Sequence, residues 1–161
     1  MNIEKLLRLL EENARYTNSD LAVMLGEPEE AVAVALADLE KNGIIRGYKP
    51  VINWSAIDDR QVTALIELKV TPKKDVGYEE VAAYISKFDE VETVYLISGG
   101  FDLAVIVRAK TLKEVAEFSS KHLSTIESVT AVSSHYVLNQ YKDMGVKLRE
   151  PDTDDRGQMS F

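Results

Sequence analysis

The second half of the sequence contains one order of segments twice, and this repeat constrains the fold more than any other feature. A helical pattern over 78–88 precedes the apolar run 91–97, and a second helical pattern, beginning at Thr111, precedes the run 129–138. Before them, 62–70 alternates apolar and polar side chains, as a half-buried strand does. The glycine-containing turn 98–102 feeds a further apolar run, which covers residues 103–107.

The predicted order is therefore strand, helix, strand, strand, helix, strand. Two copies of such a split βαβ unit give an antiparallel four-stranded sheet with both helices on one face, a ferredoxin-like arrangement. The other face of the sheet would expose apolar strand residues to water. We therefore expect two copies of the chain to pair through this face. The residues that suggest this pairing are Tyr95, Ile97, Val105 and Val107.

Three short helices precede the sheet. Thr17, with Asp20 three residues later, predicts an N-terminal cap for the second helix, and Gly26 ends that helix. The third helix is predicted from about Pro28 to a left-handed stop at Gly43. Apolar residues at helical spacing predict the core positions Ile3, Leu6, Leu7, Leu10, Leu21, Leu25, Val32, Leu36 and Leu39.

A short apolar ribbon with Gly47 at its bend follows the third helix. Two helices that meet at a glycine, with a ribbon behind them, are typical of a winged helix-turn-helix, whose second helix enters the DNA major groove. The chain is thus predicted to be an α+β protein with four parts. These are a winged helix-turn-helix domain (1–53), a linker anchored by Trp54 and Ile57 (54–60), a ferredoxin-like domain (61–142) and a disordered tail or partner arm (143–161).

Charge argues against ordinary DNA reading by the third helix. The formal net charge of the chain is −8, whereas a nucleic-acid binder usually carries a basic stripe. Five acidic residues and one lysine lie in 27–41, so this helix should be repelled by phosphates. Its row of alanines (Ala31, Ala33, Ala35 and Ala37) is predicted to face outward, either as a packing element only or as a surface for a protein partner.

Other function classes receive little support. The chain has no cysteine, which removes disulfides and thiolate metal sites. No stretch reaches membrane-spanning length, and the charged N-terminal helix does not resemble a signal peptide, so a cytoplasmic location is expected. His122 and His135 stand apart from any acidic or nucleophilic pattern, and we therefore predict no catalytic residues, no metal site and no enzyme.

Two motifs carry a resemblance to a known family. The junction LEKNGIIRGY, residues 39–48, and the turn LISGGFD, residues 96–102, occur in register with the predicted domains. Together they resemble the Lrp/AsnC family of bacterial and archaeal transcriptional regulators over about 2–142, with a ligand-sensing RAM domain as the ferredoxin-like part. The resemblance implies dimers through the sheet, octamers or other higher forms, and an amino acid or related small effector bound between dimers. It implies no other cofactor.

The resemblance also assigns candidate residues. The family's usual pattern near the end of the recognition helix has two arginines, and here Ala35 and Asp38 stand in their places. Weak DNA contacts are left to Arg15, Arg46 and Lys49, although their neighbours favour an interpretation of these residues as solvated surface cations. The family's Thr-x-Thr in the last strand corresponds to Val132 to Ser134, so one hydroxyl is kept. The predicted effector-binding residues are Ser98, Gly99, Gly100, Phe101, Asp102 and Ser134.

Alone, the paired glycines would favour an ordinary strand-to-strand turn. With the family pattern they bring backbone N–H groups close to a ligand carboxylate, while Asp102 is placed to engage its amine. Two functions follow as expectations. One is a metabolite-sensing regulator whose DNA binding is weak or depends on multivalency; the other is a DNA-incompetent subunit that pairs with a DNA-binding homologue.

Overall fold

The computed structural model describes residues 1–57, 61–73 and 77–149. The chain divides into two compact units, Met1–Val51 and Ile52–Phe161. None of the helices in these described ranges is both long and apolar enough to cross a bilayer. Residues 58–60 of the predicted linker, and the predicted tail beyond Arg149, lie outside the described residues.

The N-terminal unit consists of three helices, as predicted: α1 (Ile3–Glu12), α2 (Asn18–Leu25) and α3 (Glu29–Lys41). The capping box of α2 is formed in both directions, since Thr17 Oγ1 accepts from Asp20 N and the Asp20 carboxylate accepts from Thr17 N. Gly26 and Gly43 follow α2 and α3 with φ of 69° and 67°, a conformation that glycine adopts without strain. The buried core is Leu6, Leu21, Ala22, Val32 and Leu39.

The segment after α3 differs from its prediction. No strand pairing occurs between Asn42 and Asn53, all of which the structure describes, so the predicted ribbon around Gly47 is not a hydrogen-bonded hairpin. The N–H groups of Ile44 and Ile45 instead donate to the Leu39 carbonyl, at 2.9 and 3.2 Å. The start of the segment is therefore held by the end of α3 and not by a partner strand.

The second unit begins with a 3-10 helix, Trp54–Ile57, within the predicted linker. Of the two predicted anchors, Trp54 is half-buried, but the prediction for Ile57 is wrong because its side chain is 64 % exposed. A single turn of 3-10 helix buries only part of its surface, so two apolar residues this close in sequence need not both be covered.

The predicted βαββαβ order is confirmed. Its elements are β1 (Val62–Val70), α4 (Tyr78–Ile85), β2 (Val91–Leu96), β3 (Leu103–Ala109), α5 (Leu112–Phe118) and β4 (Val129–Tyr136). The sheet order is β2-β3-β1-β4, and every neighbouring pair is antiparallel. One π-helical turn, Ser119–Leu123, extends α5.

Both helices of the second unit pack on one face of the sheet. On that face the β1 side chains Ala64, Ile66, Leu68 and Val70 are all buried. The helices contribute Val81, Ile85, Val115 and Phe118 to the same core. Leu112, the first residue of α5, is 55 % exposed and lies outside this core.

Neither α4 nor α5 packs on the opposite face of the sheet. Val105 and Val107 are fully buried on the helix side, so they do not support the predicted face-to-face pairing. The apolar residues of the open face are set by register: Leu65 lies opposite Ile106, and Tyr95 opposite Ala104. Tyr95 is 59 % exposed. This face, defined here by Leu65, Ile106 and Tyr95, is called the open face below.

A two-stranded ribbon, β5 (Lys142–Asp143) and β6 (Val146–Lys147), follows the sheet. Met144 and Gly145 form the two-residue turn between these strands, and both have positive φ, 43° and 84°. Positive φ at both positions gives the turn a twist that matches the twist of the flanking strands. Ordered chain therefore continues past the predicted boundary at residue 142.

Candidate DNA-facing helix and effector turn

The exposed side of α3 is acidic with an apolar centre. Glu30, Val34 and Asp38, at four-residue intervals, lie along one exposed line of the helix. The predicted outward row of alanines is only partly correct: Ala37 is exposed, Ala31 and Ala33 are half-buried, and Ala35 packs against the core. A row of alternate residues cannot share one face of a helix with 3.6 residues per turn.

Several carboxylates of this helix have no compensating cation. Glu29, Glu30 and Asp38 form no ion pair with any described residue. Glu27 is paired with the Met1 ammonium group at 2.9 Å, and Glu40 accepts a hydrogen bond from the Tyr48 hydroxyl at 2.9 Å. Burial raises the pKa of the Tyr48 hydroxyl above its ordinary value, and the bond to Glu40 and that carboxylate's charge raise it further. The surface potential of α3 therefore opposes phosphate.

The three predicted DNA-contacting cations lie outside α3 and are all exposed. Arg15 lies between α1 and α2, and Arg46 and Lys49 lie in the segment that follows α3. The Arg46 guanidinium lies over Gly43, where a Cβ would come within 2.7 Å of Arg46 Cζ. The side chains of these three cations form no hydrogen bond or ion pair with any residue in the described part of the chain. No such contact therefore positions them to bind a phosphate.

The turn between β2 and β3 presents free backbone donors. The amides of Ser98, Gly99, Gly100 and Phe101 have no hydrogen-bond acceptor among the described residues. The turn is closed at its base, where Ile97 N donates to the Asp102 carbonyl at 2.8 Å. Gly99 has φ of 154°, which glycine adopts more readily than other residues, and a Cβ at Gly100 would meet nothing within 4 Å. Four consecutive unengaged N–H groups are suited to an anionic group such as a carboxylate.

Asp102 makes contacts within its own chain that the sequence did not predict. Its carboxylate accepts from Val70 N at 2.8 Å and from Lys69 Nζ at 3.2 Å, so both oxygens hold the end of β1. Its own N–H donates to the Leu68 carbonyl at 2.9 Å. Through these contacts Asp102 fixes the position of the turn, and its contact with a ligand amine stays a prediction.

These contacts give a pH dependence. The hydrogen bond from Val70 N lowers the pKa of the Asp102 carboxyl below its ordinary value, and the bond from Lys69 and that ammonium's charge lower it further. A carboxyl whose pKa is lower in the folded state contributes stability above its unfolded pKa, and this is lost as pH falls through the folded pKa. Asp102→Asn should therefore lower the melting temperature near neutral pH, and the difference from wild type should narrow as pH falls below the ordinary carboxyl pKa of about 3.9. Thermal unfolding across this range checks it; a difference that is constant with pH would contradict it.

Ser134 is not brought to the turn within one chain. It lies on β4 opposite Ile66, which places it on the helix side of the sheet and two positions along β1 from Leu68. The turn joins β3, which lies on the other side of β1. Ser134 is exposed because β4 is an edge strand. The predicted effector residues thus separate into the turn and one distant hydroxyl.

Register also reveals a polar cluster that the sequence did not predict. His135 Nε2 lies 3.0 Å from Glu67 Oε2 and 3.2 Å from Ser133 Oγ, all on the side of the sheet away from the helices. Glu67 and His135 are 68 positions apart in the sequence and come together because β1 pairs with β4. The His122 ring packs against Phe88 at a tilt of 52°, with ring centroids 4.7 Å apart. The described residues include no cluster of three or more metal-binding side chains.

Comparisons with known proteins agree with both units. A family model described as the Lrp/AsnC ligand binding domain matches residues 63–146, and one described as winged helix-turn-helix DNA-binding matches residues 2–46. A chain with this fold and these two matches is a transcriptional regulator and not an enzyme. It belongs to the Lrp/AsnC family.

Particular relatives cover nearly the whole chain. An uncharacterized HTH-type transcriptional regulator of Bacillus subtilis (strain 168), YugG, is 41% identical over 94% of this chain and 92% of its own. An uncharacterized HTH-type regulator of Pyrococcus furiosus is 31% identical, over 88% of this chain and 93% of its own. A solved structure of a transcriptional regulator from Neisseria meningitidis in complex with L-Met has a TM-score of 0.69 and 25% identity, covering 89% of this chain and 93% of that one.

Proposed function

We propose that this regulator senses an amino acid or a related small metabolite through the turn 98–101, and that each of its winged domains binds DNA weakly. The observation that carries the sensing part is the row of four backbone amides without acceptors. A ligand carboxylate would supply the missing acceptors, at a cost in desolvation that charge-assisted hydrogen bonds offset. The L-Met complex of the Neisseria meningitidis regulator supports an amino acid as the class of ligand.

The ammonium group of an amino acid has three donors, which Asp102 beside the turn does not satisfy alone. Asp102 is engaged by Val70 and Lys69, and Ser134 lies across β1 from the turn. An acceptor supplied by another subunit would meet this need, which agrees with the effector position between dimers that the family resemblance implies. We therefore assign carboxylate binding to 98–101 and the positioning of that turn to Asp102.

We further propose that the chain dimerises through the open face and assembles into octamers or other higher forms. Leu65 and Ile106 lie opposite each other there, and Tyr95 is largely exposed. Assembly matters for DNA binding, because several weak winged domains on one particle bind far more tightly than one. Such a regulator would act on DNA in the cytoplasm.

The acidic surface of α3 favours a second candidate. In this candidate the chain does not bind DNA itself and senses the metabolite as a subunit of a homologue that does. A mobility-shift assay across a salt series separates the two, since phosphate contacts weaken as salt rises. Specific binding that falls with salt supports the first candidate; no binding by the assembled protein, even at low salt, supports the second.

The effector turn can be tested with one substitution. Gly100→Val places a side chain where the structure has open space, so the fold should survive while a ligand loses close approach to the backbone. Titration calorimetry of the full chain with the common L-amino acids should identify a ligand that the variant binds about tenfold or more weakly. Gly47→Val, at another glycine without close neighbours, is the matched control. Equal affinity of both variants for that ligand would exclude the turn as its site.

A further inference from the structure

A shallow groove of about 540 Å³ runs along the exposed side of α3. Its centre is apolar: Val34, 57 % exposed, stands beside Ala31 and Ala35 in the lining. Alanine side chains allow the backbone of a second helix to come close, and an exposed valine gives that helix an apolar contact. The groove therefore has an apolar centre against which a second helix can pack.

Carboxylates stand on both sides of this apolar centre. Glu30 precedes Val34 by about one turn and Asp38 follows it by about one turn, so the three lie on one line of α3. At about 1.5 Å per residue, the two carboxylates are about 12 Å apart along the axis. Neither forms an ion pair with a residue in the described ranges. The groove thus combines an apolar contact with two uncompensated negative charges.

These charges decide the occupant. DNA presents phosphates, which Glu30 and Asp38 repel. A second copy related by a two-fold axis would bring the same two carboxylates against them. By sequence, the segment 150–161 has four acidic residues and one arginine, so it has the same sign as the groove. Only a basic surface is complementary.

We propose that the groove along α3 binds a basic amphipathic helix of a partner protein. In the complementary pattern one apolar residue contacts Val34, and a lysine or arginine four residues to each side meets Glu30 or Asp38, because four residues span about one turn in both helices. The apolar contact supplies affinity, and the flanking charges select the partner and its register.

Binding of this partner has a consequence for DNA. One face of α3 cannot contact a partner helix and enter a major groove at the same time, so the two would compete. The proposal goes beyond the sensing function above and does not depend on the effector, on the turn 98–101 or on the strength of DNA binding.

The probe is a stapled helical peptide with a central leucine and a lysine four residues to each side; a matched peptide carries glutamates there. Fluorescence anisotropy with the full-length protein should show binding of the lysine peptide only. Glu30→Lys/Asp38→Lys should weaken that binding about tenfold or more and favour the glutamate peptide. Glu79→Lys/Glu90→Lys changes the net charge equally at exposed positions of the other unit, and should change affinity by less than about twofold.

Val34→Ser tests the apolar centre without a change in charge, and should also weaken the lysine peptide about fivefold or more. Three outcomes would overturn the proposal. The first is an equal effect of the two charge-reversed variants, which indicates bulk charge only. The second is normal peptide binding by the Val34→Ser variant. The third is self-association that Val34→Ser abolishes, which makes a second copy the occupant. None of these peptide-binding measurements depends on whether the protein binds an amino acid.

Discussion

Replacing Ala35 and Asp38 with arginine is expected to raise the affinity of the full-length protein for duplex DNA by about 10- to 100-fold at low salt. These positions correspond to the two arginines in the family's recognition helix. Each winged domain gains three positive charges, and both arginines stand on the helix that would enter the major groove. Asp38 is exposed and Ala35 is only half-buried, and the aliphatic part of an arginine can cover apolar surface while its guanidinium stays in water.

The measurement is a mobility-shift or anisotropy titration over a series of salt concentrations. For the variant, the logarithm of affinity should fall more steeply with the logarithm of salt, because each added phosphate contact increases the slope by about one. The control is Glu79→Arg/Glu90→Gln, which makes the same change in charge at exposed positions of the other unit. If this control raised affinity equally, the acidic surface of α3 would not be the local barrier to DNA binding.

This experiment also separates the two candidate functions. If the wild-type protein already binds DNA weakly through its assembled winged domains, the variant should strengthen an existing salt-dependent complex. If the chain acts only as a subunit of a DNA-binding homologue, wild type should show no complex and the variant should create one without sequence preference. In both cases the melting temperature of the variant must match wild type for the comparison to hold.

The parts of this fold that depend on local sequence were predictable. Thr17 and Asp20 cap α2 within four residues of chain, and the alternation over 62–70 matches the face of β1 that is buried. The glycine pair at 99–100 marked the turn in the same way, because the motif is local. Such signals need no information about the rest of the chain.

Contacts between distant segments were not predictable. The sequence suggested Asp102 as a ligand partner, but the pairing of β1 with β3 places Val70 N and Lys69 Nζ against its carboxylate. The motif match gave Ser134 as an effector-binding residue without its position, and register places it across β1 from the turn. In a strand, a shift of one residue changes the face, so the face of each residue follows from pairing and not from composition.

The register of β1 allows the open face and the core to be tested with neighbouring residues. Ile66 is fully buried beneath the helices, and Leu65, its neighbour, is half-buried on the open face. Ile66→Ala should lower the free energy of unfolding by about 2 to 5 kcal/mol, since it leaves a cavity in a packed core. Leu65→Ala removes the same number of carbon atoms from the opposite face, and should cost the single chain only about 1 kcal/mol.

Their effects on assembly should be the reverse. Leu65→Ala should weaken the dimer about tenfold or more in sedimentation velocity, because Leu65 lies near the centre of the open face, opposite Ile106 and His135. Ile66→Ala, measured under conditions where it is still folded, should leave the dimer constant nearly unchanged. Chemical unfolding at several protein concentrations connects the two readouts. Association stabilises the folded state by mass action, so the Leu65→Ala defect should vary with concentration and the Ile66→Ala defect should not. If the Leu65→Ala variant kept a wild-type dimer constant, the dimer would have to use a surface other than the open face.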